Sequence, residues 1–287
     1  MSSQITTAFV EQYSNNVQML SQQKGSLLRD KVDSETVQGK NAFFEQIGSV
    51  TAQVRSSRHA PTPQLDTPHA RRRVSLADYE FADLIDDQDK VRTLIDPTSS
   101  YAQAAAFAMG RAMDDVIISA ATGTSFTGVS GGTSTALPGT QAITESGTDG
   151  LTIAKLRNAK RIMDLNSVDA SIPRYIVVSP RQIDDLLGTT SVTSADFNTV
   201  RALVTGEVNT FMGFQFIVSN RLSIASSKRL CFAYAQDGLK LALGKDVMSR
   251  IDERADVGYA TQIYYCMSIG ATRMEEEKVV SIQAHEA

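Results

Sequence analysis

Residues 96–121 read DPTSSYAQAAAFAMGRAMDDVIISAA. Asp96 is a capping residue placed before Pro97, which suits the first helical position because the amide it lacks would be unpaired there anyway. Along the segment Ala102, Ala106, Met109, Met113, Ile117 and Ala120 recur at steps of three and four, and Ala105, Ala108, Ala112 and Val116 widen the same face. At about 1.5 Å of rise per residue, the helix spans about 36 Å, the length of a whole domain. Its small side chains let a sheet approach closely, so the sequence predicts a spine.

Past the spine the chain changes character. In residues 122–150, 19 of 29 positions are Gly, Ser or Thr and none is Lys or Arg, a composition that predicts a mobile loop and a natural boundary. Beyond it, short helices and strands alternate. Ile153, Leu156, Ala159, Ile162 and Met163 share a helical face, residues 175–178 form a β-branched strand, and Ser179-Pro180 opens a helix through Leu187. A further helix is predicted from Ser194 to Gly206. Phe214, Phe216 and Val218 then alternate as a strand after Gly213. Residues 230–234 and 239–243 add two strands across Gln236-Asp237-Gly238, whose Asp-Gly pair signals a tight turn, and residues 261–269 and 278–282 are strands. The fold class expected is α+β.

Upstream of the spine, the sequence leaves surfaces without partners. Ile5, Phe9, Tyr13, Val17 and Leu20 recur at helical spacing on an otherwise polar segment, giving an arm with one narrow apolar stripe. A hairpin comes next: Val50, Ala52 and Val54 alternate with polar residues, as do Arg72, Val74 and Leu76, around a tip containing Pro61, Pro63 and Pro68. A lone two-stranded projection is marginal in water and needs a supporting surface. Arg71, Arg72 and Arg73 form the densest basic run, but Asp78, Glu80, Asp83, Asp86, Asp87 and Asp89 come directly after it and cancel a long-range field for nucleic acid. The run is better suited to carboxylates on a neighbouring subunit, which the planar guanidinium pairs bidentately.

Composition sets further bounds. A chain of 287 residues, 42% hydrophobic and 21% charged, holds one large or two modest cores. Net charge is −4 with pI near 5.5, so contact with DNA is expected to be loose. No apolar run of membrane-spanning length and no signal peptide is read, so the expected setting is cytosol. Cys231 and Cys266, each in a predicted strand, read as reduced buried hydrophobes.

Catalysis is not expected. Gly128-Val129-Ser130-Gly131-Gly132 matches the Gly-x-Ser-x-Gly nucleophile pattern, which needs a strand before it and a helix after it. Both flanks are low-complexity, and the candidate bases His59, His69 and His285 lie beside the proline-rich tip or near residue 287. No phosphate loop and no metal-binding Cys/His spacing occurs, so no cofactor and no metal is expected. Asp86-Asp87 and Asp184-Asp185 read as solvated faces.

This order of elements resembles the major capsid proteins of tailed bacteriophages. The resemblance rests on RAMDDVII (111–118) at the spine's end, YIVVSP (175–180) with Leu186-Leu187, GFQFIVS (213–219), the stretch from Gly258 onward, and GATR (270–273) before the last strand. It implies an N-terminal arm (1–42), an extended-loop hairpin (43–92), a peripheral domain with the spine helix (93–149 and 245–287) and an axial domain (150–244). It also implies self-assembly into hexamers and pentamers of an icosahedral head around double-stranded DNA, in the host bacterial cytoplasm, with a portal, a separate scaffolding protein and a possible cement protein. Arm and extended loop would lie across neighbouring subunits. Phe9, Tyr13 and Leu20 would dock the arm, Arg71, Arg72 and Arg73 would pair across the interface, and Tyr79 and Phe81 would seat the loop. No lysine lies between Lys40 and Lys90, so the covalent lysine–asparagine weld of some relatives is not expected. The rival reading is an encapsulin-like compartment that packages an enzyme; a tail-tube or adhesion protein fits the β-rich end but not the spine.

Overall fold

The computed structural model describes residues 21–55, 57–59, 61–62, 64–86, 98–144, 149–188 and 210–286. In chain order these form β1 (Asp33–Thr36), β2 (Asn41–Ile47), β3 (His69–Ser75), β4 (Ala77–Ile85), α1 (Thr98–Thr122), β5 (Ser125–Thr127), β6 (Thr133–Thr135), β7 (Ala142–Ile143), α2 (Ile153–Leu165), β8 (Arg174–Val178), α3 (Pro180–Gly188), β9 (Thr210–Phe211), β10 (Phe214–Val218), β11 (Ile224–Ala225), β12 (Lys228–Ala235), β13 (Leu239–Arg254), β14 (Ala260–Arg273) and β15 (Val279–His285). The α+β expectation, with one long helix and several sheets, holds. The chain divides into two compact units, residues 1–26, 78–111 and 246–267, and residues 27–77, 112–245 and 268–287.

The second unit holds a seven-stranded sheet in the order β7-β15-β12-β8-β10-β9, with β11 on β12. Every residue of β8 is buried, which is why the sequence there is an unbroken Tyr-Ile-Val-Val run instead of an alternation. Tyr234 packs between Tyr175 and Phe232, each ring centroid 5.6 Å away. The buried face of α2 presents Leu156, Ala159 and Met163. Its Lys155 is buried too, and its ammonium donates to the carbonyls of Asp149, Gly150 and Gln283 at 2.8, 2.8 and 3.2 Å.

A four-stranded sheet, β2-β3-β5-β6, makes the base of the hairpin. β2 and β3 pair antiparallel from Asn41↔Ser75 to Ile47↔His69, burying Ala42, Phe44 and Val74 against Ala242. The hairpin strand therefore lies at residues 41–47 and not at 50–54. The alternation at Val50, Ala52 and Val54 has nothing to bury against: Val50 is 57% and Val54 95% exposed.

Three other expectations change. Residues 122–150 are not simply a loop, because β5 and β6 pair with each other and β5 with β3, and β7 pairs with β15. Backbone ladders order a segment that has little apolar area to do so. Asp237-Gly238 closes no hairpin, since β12 and β13 belong to different sheets and a 3-10 turn joins them. The buried stripe of α1 runs through Ala105, Met109, Gly110, Met113, Asp114, Ile117, Ile118 and Ala121, rotated from the predicted one because a second chain segment packs at Gly110 and Asp114. The predicted cap Asp96-Pro97 and the helix at 194–206 lie outside the described residues.

Candidate assembly surfaces

The arginine run divides along β3, as side chains on a strand must alternate. Arg71 is partly exposed; its Nε donates to Glu45 Oε1 at 2.8 Å, and it lies over the Phe43 ring at 5.5 Å. Arg72 points inward and is 6% exposed. It donates to Ser125 Oγ at 3.0 Å and Met274 O at 2.8 Å, and pairs with Glu276. The carboxylate expected for Arg72 on a neighbour is thus supplied by its own chain. Arg73 stacks over Phe126 at 4.8 Å.

Behind Arg72 sits Arg273, which is fully buried. Its guanidinium donates to Ala121 O (3.1 Å) and Gly123 O (2.8 Å), carbonyls at the end of α1, and to Thr135 O (3.2 Å), and it lies 3.6 Å from Glu276. A cation at a helix C-terminus satisfies carbonyls that have no intrahelical partner and meets the negative end of the dipole. Burial pulls the Arg273 pKa down while Glu276 pushes it back up. Arg72, Arg273, Glu276 and Ser125 so form one hub joining the hairpin, the spine's end and the β14–β15 connection.

Beyond the hairpin base the chain is bare. Gly48 N donates to Pro68 O at 2.9 Å, closing the last rung. Every described residue from 47 to 70 is exposed, including Ile47 at 69% and Leu65 at 45%.

In the first unit, β4 turns Tyr79, Phe81, Asp83 and Ile85 to its more buried side and Asp78, Glu80, Ala82 and Leu84 outward. Glu80 Oε1 accepts from Tyr264 Oη of β14 at 3.0 Å. The far part of β13, residues 246–254, is exposed on both faces, with Val247 at 36% and Ile251 at 52%. Among the described residues, β14 is its only strand neighbour there, because β1 pairs at residues 240–243.

The arm candidates Phe9, Tyr13 and Leu20 lie outside the described residues. The chain just after them is fixed on the spine. A Cβ added at Gly110 would stand 2.6 Å from Gly25 Cα and from Ser26 N, so only glycine permits this backbone crossing. One turn on, the buried Asp114 carboxylate accepts from the amides of Leu27 (3.0 Å) and Leu28 (3.1 Å). The sequence carried a signal for this anchor: an acid inside the apolar face of RAMDDVII.

The Gly-x-Ser-x-Gly match is a turn between β5 and β6. Gly128 and Gly131 have φ of +91° and +64°, Gly131 N donates to Gly128 O at 2.9 Å, and a strand comes after it where a nucleophile elbow needs a helix. Gly131 also admits the stem of Arg73, whose Cδ would lie 2.7 Å from an added Cβ. Among the described residues no group of three His, Cys, Asp or Glu side chains is placed to hold a metal.

One carboxylate is strongly perturbed for a structural reason. Glu286 accepts from Arg229 Nε (2.9 Å), Gln182 Nε2 (2.9 Å) and Ser179 Oγ (3.1 Å), tying β12 to the start of α3. These bonds, the arginine's above all, hold its pKa down at about 2. A depressed carboxylate stabilises the fold fully above its ordinary value of 4.5 and stops doing so as pH falls towards 2. Glu286→Gln is expected to flatten that part of the acid limb of the stability–pH curve, read by denaturant unfolding from pH 5 down to 2. An unchanged acid limb would show that the carboxylate is not so held.

The model of one protein family, described as phage capsid protein, matches residues 5–286. No curated protein matches the chain. Among solved structures, the capsid of Ralstonia phage GP4 is similar at a TM-score of 0.77 and 11% identity, over 97% of this chain and 96% of that one. The capsid of cyanophage P-SCSP1u gives 0.73 at 18% identity over 100% and 96%, and that of cyanophage Pam1 gives 0.72 at 13% over 98% of each.

Proposed function

The chain belongs to the phage capsid protein family, and from that premise we propose that it is the major subunit of an icosahedral tailed-phage head, assembled as hexamers and pentamers around double-stranded DNA. It is a structural protein of the virion, not an enzyme, and acts by self-association into a shell. The observation that carries the fuller reading is the limb that the folded chain leaves bare, with every described residue from 47 to 70 exposed. Such a projection is stable only on another surface.

In this reading residues 1–42 are the arm, 43–92 the extended loop, 93–149 with 245–287 the peripheral domain, and 150–244 the axial domain. Phe9, Tyr13 and Leu20 dock the arm on a neighbour. Arg71 and Arg73, the half-buried members of the run, meet neighbouring carboxylates, and Tyr79 and Phe81 seat the loop. Obligate contacts of this kind bury about 2,000–5,000 Å² each, and at about 25 cal/mol per Å² the apolar part outweighs the entropy of association. A portal, a separate scaffolding protein and a cement protein complete the partner list, and contact with the packaged DNA stays loose because the subunit is acidic. The family match favours a genome-enclosing shell over an encapsulin-like compartment.

Electron microscopy of the expressed protein tests this directly, with closed spherical shells the expected product. Deleting residues 1–22 leaves Asp114 and its two amide partners intact, so the truncated subunit is expected to remain soluble and folded yet to form no normal shells. Normal particles from that truncation would overturn the arm's role.

A further inference from the structure

The face of α2 turned away from the sheet is cationic, with apolar side chains beside the charge. Arg157, Lys160 and Arg161 are exposed at positions i, i+3 and i+4, so they crowd one side of the helix within a turn. Asp164 continues that side, but its carboxylate is already neutralised by Arg174 Nη1 at 2.6 Å. Arg161 donates to the uncharged Asn158 Oδ1 at 2.8 Å, and among the described residues no acid pairs with Arg157 or Lys160. The three cations border a groove of about 670 Å³ that Ala154, Leu165 and Met212 also line, and Leu165 is 69% exposed. Met212 and Gly213 make the turn between β9 and β10, with φ of +54° and +86°. Asn or Gly is the ordinary choice at the first position, because a larger side chain crowds the backbone there. A methionine held in that strained conformation on the wall of a groove is explained by a contact it makes with a ligand, and not by the needs of the turn. Charge is also uneven along the chain: residues 150–244 carry 11 Lys and Arg against 7 Asp and Glu, which is +4, and the rest carries 17 against 25, which is −8.

We propose that this face of α2 is the docking site for an acidic amphipathic helix of a separate protein. The helix lays its apolar stripe on Leu165 and Met212 and its carboxylates on Arg157, Lys160 and Arg161. Duplex DNA would satisfy the cations but leave Leu165 without an apolar partner. The apolar arm of a second copy does not match either, because residues 1–20 hold a single charged side chain, Glu11. The groove belongs to one folded subunit, so the site stands apart from the shell reading.

The probe is a synthetic helical peptide of about 20 residues, with Leu at the core positions of each heptad, Glu beside them and Ala elsewhere. It is titrated by fluorescence anisotropy against the full-length, unassembled protein. Micromolar binding is expected, and Arg157→Ala, Lys160→Ala and Arg161→Ala together are expected to weaken it at least about tenfold. Leu165→Ser and Met212→Asn should each weaken it about threefold to tenfold. Asn suits the left-handed turn, so Met212→Asn keeps the wild-type unfolding midpoint or raises it, and decides the matter even if truncating the cations disturbs α2. The comparison ligands are the same peptide with Lys for Glu and a DNA duplex of about 20 base pairs. DNA bound as tightly as the peptide, with Leu165→Ser and Met212→Asn changing neither, would make the face a phosphate surface and overturn the proposal. Equal binding of the lysine peptide, a glutamate peptide whose affinity no variant alters, or no binding at all would overturn it too.

Discussion

Replacing Arg273 with Ala is expected to cost the subunit about 3–5 kcal/mol, the range for removing one partner of a buried ion pair. The guanidinium is fully buried, faces Glu276 and donates to carbonyls at the end of α1 and in β6, so its loss leaves several buried acceptors without a donor and takes from Glu276 one of its two cations, Arg72 being the other. Arg273→Lys keeps the charge but not the planar fork, and should fall between. Denaturant unfolding of the unassembled subunit reads both. A midpoint for Arg273→Ala within error of wild type would mean that the hub is dispensable.

The second large effect has an unusual sign. Gly→Ala inside a helix ordinarily stabilises by about 0.4–1 kcal/mol, because the unfolded chain loses freedom. At Gly110 the added methyl meets the backbone of Gly25 and Ser26, which cannot rotate away as a side chain can. Gly110→Ala is therefore expected to destabilise by about 1–3 kcal/mol, as overpacked sites do, and to open residues 21–28 to protease. Asp114→Ala should give the same cleavage pattern by another route, leaving the Leu27 and Leu28 amides without their acceptor. A Gly110→Ala subunit that melts higher than wild type, with the segment still resistant, would show that the crossing is not fixed there.

Elements defined by apolar periodicity were legible in the sequence. The helix at 153–165, the strands at 174–178 and 214–218 and the long spine helix all appear where their spacing puts them. The resemblance to capsid proteins rests on several of these segments, and the family match extends it to residues 5–286. The misleading signals turn on partners rather than propensity. Val50, Ala52 and Val54 alternate as well as Ala42 and Phe44 do, but only the latter pair has Val74 and Ala242 to pack against. Asp237-Gly238 has a hairpin's turn residues, yet the strands on either side go to different sheets.

The polar contacts were the least legible. Arg71, Arg72 and Arg73 are identical in type, and the pleat alone sends Arg72 inward to Glu276, about 200 residues away in sequence. Arg273 reads in sequence like any other cation. Asp114 carried a signal, a carboxylate amid apolar neighbours on a helix, but the sequence alone assigned it no role.

The two thiols carry a consequence for life outside the cell. Burial pushes the Cys231 pKa up to about 12, and Cys266 is buried as well. Thiolate is the species that oxidants attack, so Cys231 stays in the unreactive thiol form at neutral pH, while burial alone shields Cys266. A particle released from a reducing cytosol into air can then age without forming sulfur cross-links between its subunits, and no reductant is needed to keep it intact in storage.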